Sequence, residues 1–154
     1  MKVNLRYFGL IIFLVFSNLF IINSCSDRAE TVSCFPKVQI NISVNTNLPL
    51  YHPVTVQGGW IYVNEVGAGT NGLIITNTSG GFKVFDRNAP HICPDGDKTI
   101  LYVKDNTTIV CPKDGAEWML NGSPTSNNTQ SKGLPPKTYP FNYDPSTGVI
   151  SVYY

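Results

Sequence analysis

The residues with the most chemistry sit in two short segments, Ala89-Pro90-His91-Ile92-Cys93 and Cys111-Pro112-Lys113-Asp114-Gly115-Ala116-Glu117-Trp118. His91 and Cys93 are two positions apart, so in an extended loop both side chains point to one face. Cys111 and Asp114 add a second thiol and a carboxylate from the other segment. Thiolate, imidazole and carboxylate are the donors that zinc accepts in tetrahedral sites, so His91, Cys93, Cys111 and Asp114 form a candidate metal set. The same residues have a plainer reading, in which His91 is an ordinary loop histidine. Asp114 before Gly115 is then a turn former whose carboxylate bonds amides two residues on.

The elements that must hold these loops read as strands. Val38, Ile40, Ile42 and Val44 alternate with Gln39, Asn41, Ser43 and Asn45, a period of two that marks a strand with one buried face. Strand-like runs follow at 60–64, 73–76, 82–85, 99–103, 107–110, 117–120, 138–143 and 149–153, and no segment reads as a long amphipathic helix. Ser79-Gly80-Gly81, Asp105-Asn106 and Asp144-Pro145-Ser146-Thr147-Gly148 supply the residue types that tight turns need. Many short strands with frequent turns predict an all-β antiparallel sandwich or small barrel. Residues 123–136, rich in Ser, Asn, Thr, Gly and Pro, read as a surface loop.

The start of the chain fixes the expected compartment. Lys2 and Arg6 precede the apolar run from Phe8 to Ile22, and Asn23 and Ser24 lead into Cys25. Residues 1–24 therefore read as a secretory signal peptide. The junction resembles the lipobox of bacterial lipoproteins, which implies that Cys25 is the lipidated N-terminus; a plain membrane anchor is the alternative. Residues 25–36 are then a lipidated, polar tether, and 37–154 a single β domain. Ser26 after the lipidated Cys resembles the residue that directs lipoproteins to the outer membrane rather than the inner. Removing Lys2 and Arg6 from the 11 basic residues leaves 9 against 10 acidic ones, and the rest are scattered along the chain. No basic stripe for nucleic acid exists.

Hydrolytic and phosphate chemistry find no support. His52 and His91 are the two histidines, and neither neighbours a Gly-x-Ser-x-Gly nucleophile. Asp95, Asp97, Asp105 and Asp114 fall among turn residues, and the Gly58-Gly59 pair and Gly67-Ala68-Gly69 do not open a phosphate-binding helix. No catalytic motif is found.

The two loops resemble the paired cluster loops of Rieske iron–sulfur domains, which supply Cys-x-His and Cys-x-x-His. His91 stands at the first histidine position and Cys111 at the second cysteine position, while Ala89 replaces a thiolate and Asp114 an imidazole. Gly115-Ala116-Glu117-Trp118 is similar to the glycine-to-aromatic pattern after the second loop, and Leu134-Pro135-Pro136 to the proline-bearing loop over the cluster. The resemblance, which spans about residues 60–154, implies a Rieske-like antiparallel sandwich or small barrel with a cluster-loop subdomain at one end. It makes the chain a degenerate member of that superfamily, similar to bacterial envelope lipoproteins.

Two outcomes follow from the resemblance. In one, no cofactor is bound, Cys93 and Cys111 form a disulfide across the loops, as occurs in some respiratory Rieske proteins, or stay free thiols, and Cys34 is left without an assigned partner. The domain is then a non-catalytic binding or structural module with an envelope protein as partner. In the alternative, His91, Cys93, Cys111 and Asp114 hold a 2Fe–2S cluster with a mixed His and Asp outer iron, and the protein transfers electrons. Zinc in the same set also stays open.

Overall fold

A computed structural model describes residues 31–154. The expected leader, Cys25 and most of the expected tether lie outside the described residues. Among the described residues nine strands form three antiparallel sheets of three strands each. β1 (Asn41–Asn45), β9 (Val149–Tyr153) and β8 (Phe141–Asp144) make the first, in the order β1-β9-β8. β2 (Trp60–Val63), β3 (Leu73–Thr78) and β4 (Gly81–Asp86) make the second, and β5 (Tyr102–Lys104), β6 (Thr108–Val110) and β7 (Glu117–Met119) the third. The expected all-β architecture is thus present, and among the described residues the single helical element is a 3-10 turn at His52–Thr55.

Register explains why the middle sheet carries two cores. Ile61, Ile75 and Val84 are cross-strand neighbours, and so are Tyr62, Ile74 and Phe85, offset by one residue. Successive side chains of a strand leave opposite faces, so these two rows face opposite ways. The row with Ile75 packs with Ile42, Val44, Ile150 and Val152 of the first sheet, forming one core. Ile74 and Phe85 pack with Ala89, Ile109, Cys111 and Trp118, forming the second. The uninterrupted run Leu73-Ile74-Ile75, all fully buried, is what a strand covered on both faces requires. It is also why this strand lacks the alternation seen in β1.

The hairpin between β5 and β6 turns on Asp105 and Asn106, both with positive φ, at 51° and 56°. Two consecutive left-handed residues define the primed turn that matches strand twist, and short polar side chains tolerate it best. β6 then runs directly into Cys111, so this turn sets where the second loop starts. Trp60 Nε1 donates to Asn106 Oδ1 at 3.0 Å and ties the turn back to β2.

The strands expected at 38–44, 99–103 and 138–143 each begin three residues later than predicted, the last two for a local reason. Thr99 does not join β5. Its hydroxyl donates to Asn88 Oδ1 at 2.8 Å and accepts from the Asp95 amide at 3.0 Å, closing the first loop upon itself. Thr138 and Tyr139 do not join β8. They run beside β4, where the Tyr139 amide donates to Val84 O and the Asp86 amide to Lys137 O, before the chain crosses to the first sheet. The Tyr139 hydroxyl donates to Asp86 Oδ2 at 2.8 Å, and the amides of Thr70 and Asn88 also donate to this carboxylate. Asp86 is fully buried, and burial raises its pKa against the pull of these donors. The donor shell is what lets a carboxylate stand where the three segments meet.

Candidate functional site

The two chemistry-bearing loops are adjacent. The first leaves β4 through Asp86 and Asn88; Ala89 donates its amide to Thr99 O, and its methyl joins the second core. The second is a closed turn in which the Cys111 amide donates to Ala116 O and the Gly115 amide to Cys111 O. Gly115 closes it with φ of 76°, a conformation that costs glycine nothing. Lys113 Nζ reaches across to Asp95 Oδ2 at 2.8 Å, giving the two loops a surface ion pair. That lysine, with Lys98, holds the Asp95 carboxyl below its ordinary range.

His91, Cys111 and Asp114 converge. One ring nitrogen of His91, Cys111 Sγ and one Asp114 oxygen all lie within 4.8 Å of one another. His91 Nε2 and Asp114 Oδ2 are 2.7 Å apart, and the other carboxylate oxygen, Oδ1, accepts from the Ala116 amide at 3.1 Å. Asp114 is therefore the turn former that its place before Gly115 suggested and a partner of His91 at once. Burial raises the Asp114 carboxyl, but His91, the Ala116 amide and Cys111 together outweigh it and leave the group below the usual carboxylate range. It is ionised at neutral pH and can only accept, so the proton between the two residues sits on Nε2. Nδ1, at the other side of the ring, is buried without a hydrogen-bond partner.

Cys111 is fully buried, and burial together with the Asp114 carboxylate pushes its thiol up to about 11, even though the Lys113 and Asp114 amides pull the other way. Without a metal it is a neutral thiol at physiological pH, poorly suited to nucleophilic attack. The His91 ring lies 5.7 Å from the Trp118 ring, centroid to centroid, and Trp118 Nε1 donates to Leu134 O at 2.8 Å. The proline-bearing segment thus reaches the site through the indole. Residues 123–136 are more than a surface loop: Asn128 Nδ2 donates to Glu117 O at 2.7 Å and its Oδ1 accepts from the Ser131 amide, with Asn128 and Ser131 both buried. A polar side chain used as a backbone clamp looks the same in sequence as a solvated one.

Cys93 stands apart from the other three residues of the predicted set, and here the structure corrects the sequence reading. Cys93 is bonded to Cys34, not to Cys111, across 59 positions of sequence. Cys111 is a free thiol. The reason lies in the segment before β1. The Val32 amide donates to Pro90 O, and Phe35 is buried, so residues 32–35 lie against the first loop and bring Cys34 beside Cys93. Cys111, by contrast, is packed in the second core with its sulfur beside His91 and Asp114. Nothing in the local spacing announces this pairing; the one available signal was that Cys34 had no other role.

The donor set does not fit a Rieske cluster. Such a centre takes two thiolates and two imidazoles. Here Ala89 has no donor atom, the Cys93 sulfur is spent in a disulfide, and three donors of three kinds remain.

In fold the chain is similar to solved Rieske oxygenase chains. The quaternary ammonium Rieske monooxygenase CntA matches at 14% identity over 76% of this chain and 31% of its own, with a TM-score of 0.48. The oxygenase of carbazole 1,9a-dioxygenase, in its complex with ferredoxin, matches at 14% identity over 77% of this chain and 29% of its own, with a TM-score of 0.44. The terminal oxygenase of carbazole 1,9a-dioxygenase from Nocardioides aromaticivorans matches at 19% identity over 77% of this chain and 30% of its own, with a TM-score of 0.42. The chain spans about a third of the length of these oxygenases. No family model matches the sequence, and no curated protein does.

Proposed function

We propose that the chain is an envelope lipoprotein whose Rieske-like β domain has kept the loop framework, lost the 2Fe–2S chemistry, and serves as a non-catalytic binding or structural module. The observation that carries this reading is the fate of the ligand positions: a methyl at Ala89, a carboxylate at Asp114, and Cys93 bound to Cys34. The competing electron-transfer reading needs Cys93 as a thiolate, hence a reduced Cys34–Cys93 pair, which an oxidising envelope disfavours. Iron content and visible absorption of the purified protein separate the two.

In this reading Cys25 carries the lipid, the residues between it and Val32 lift the domain from the bilayer, residues 32–35 being docked on the first loop, and the outer membrane is the site of anchoring. The partner is an envelope protein, not nucleic acid. Cys25→Ala removes the acylated residue, so the variant should move from the membrane fraction to the soluble fraction or be left with its leader uncleaved and unlipidated. Mature, cleaved Cys25→Ala protein retained at the membrane like wild type would contradict lipid anchoring at this position.

A further inference from the structure

We propose that His91, Cys111 and Asp114 form a mononuclear binding site for a divalent transition-metal ion of the zinc class, in place of an iron–sulfur cluster. The proposal rests on the cluster-free reading above and adds to it a ligand. Three side chains of different chemistry, drawn from two loops 20 positions apart in sequence (91 to 111), bring a nitrogen, a sulfur and an oxygen within 4.8 Å of one another. Tetrahedral zinc holds such atoms at about 2.0–2.3 Å from the ion, which sets them about 3.3–3.8 Å apart. The observed spacings, 2.7 Å between Nε2 and Oδ2 and no more than 4.8 Å for any pair, bracket that range. Small side-chain adjustments suffice.

Charge and softness select the ion. A thiolate and a carboxylate carry two negative charges beside a neutral imidazole, the complement of a divalent cation. Lys113, the residue before Asp114, is engaged by Asp95. Magnesium and calcium prefer all-oxygen sets, whereas mixed sulfur, nitrogen and oxygen donors suit zinc. Binding at Nε2 shifts the imidazole proton to Nδ1, releases the Cys111 proton to solvent and leaves a zinc–thiolate bond, with no change of oxidation state.

The framework around the three donors is built rather than incidental. The Asp114 turn is fixed by the Ala116 amide and by Gly115, Cys111 is held in the second core, and the His91 side chain is 7% exposed beside Trp118. His91 Nδ1 is buried and unpartnered, so the ring is not bonded at both ends as a purely structural buried histidine would be. Asp114 is 26% exposed, which leaves solvent a route to a fourth coordination position. Three protein ligands with one open position is the arrangement that lets a zinc ion bind an external ligand.

The test uses the full chain purified in detergent without chelator, with metal content measured by mass spectrometry, followed by chelator stripping and titration with zinc and with cobalt. The expected result is about one zinc per chain, no stoichiometric iron, and cobalt bands of tetrahedral intensity with a thiolate charge-transfer band. Cys111→Ser should abolish that charge-transfer band, and Asp114→Asn, which keeps a turn-forming side chain, should weaken zinc binding by roughly tenfold or more. Paired Cys34→Ser and Cys93→Ser substitutions should leave the stoichiometry unchanged. Failure of the wild type to take up either metal, or uptake indifferent to Cys111→Ser, would overturn the proposal while leaving the cluster-free reading intact. Metal lost in a Cys34/Cys93 pair that is still folded at the assay temperature would place Cys93 in the site and likewise overturn it. Two irons per chain would overturn both.

Discussion

Removing the Cys34–Cys93 bridge by paired serine substitution should destabilise the domain by about 4 kcal/mol, the chain-entropy cost of releasing a loop with 59 positions between its ends. For a domain of this size that corresponds to a fall in Tm on the order of 15 °C. The effect has a local component, because residues 32–35 cover the first loop and hold Phe35 in a buried position. Thermal unfolding with and without reductant, alongside a non-reduced peptide map, measures it. Wild type should show a cross-link between the peptides carrying Cys34 and Cys93, and Cys111 should alkylate only after unfolding. An unchanged melting temperature in the serine pair, or a cross-link to Cys111, would contradict the assignment.

Trp118→Ala should cost a comparable amount, about 3–5 kcal/mol, the range for deleting a large aromatic from a packed core. Trp118 is fully buried against Ile74, Phe85 and Ile109, and it links the His91 ring on one side to Leu134 on the other. Trp118→Phe separates the two contributions. It keeps most of the apolar volume and loses the indole donor, leaving Leu134 O without that bond, so about 1–3 kcal/mol is expected. Denaturant unfolding of both variants gives the comparison. Equal losses for Phe and Ala would mean that the hydrogen bond to Leu134, and not packing, dominates.

Much of the scaffold was legible because its physics is local. Ile40, Ile42 and Val44 alternate with polar residues because this stretch, most of it in β1, buries one face, whereas Val38 lies before the strand and is half-buried. Asp105-Asn106 and Asp114-Gly115 mark turns because their side chains and backbone freedom suit left-handed positions or bonds to nearby amides. The meeting of the two loops was legible at one remove, since a hairpin between them returns the chain to the same end, and the His91–Asp114 contact is its outcome.

Illegible features depend on partners far apart in sequence. Cys34 and Cys93 meet because a segment outside the sheets folds back over the first loop, which no spacing within either segment encodes. Asp86 looks like any residue ending a strand, yet it is buried and bonded to Tyr139, 53 positions on. Residues 123–136 have the composition of a solvated loop, and Asn128 becomes structural only because the Glu117 carbonyl of β7, which also accepts from the Thr125 amide, lies within its reach. The candidate site was accordingly half legible: His91, Cys111 and Asp114 lie together, and Cys93 was assigned to the wrong partner.

The central claim, that the loop framework persists without its iron–sulfur chemistry, is tested most directly by iron count and visible absorption on mature protein purified without oxygen. The account predicts a colourless protein with no stoichiometric iron and no absorption band that bleaches on reduction. A coloured protein with about two irons per chain, losing both colour and iron in His91→Ala and in Asp114→Ala, would contradict it and restore electron transfer as the function.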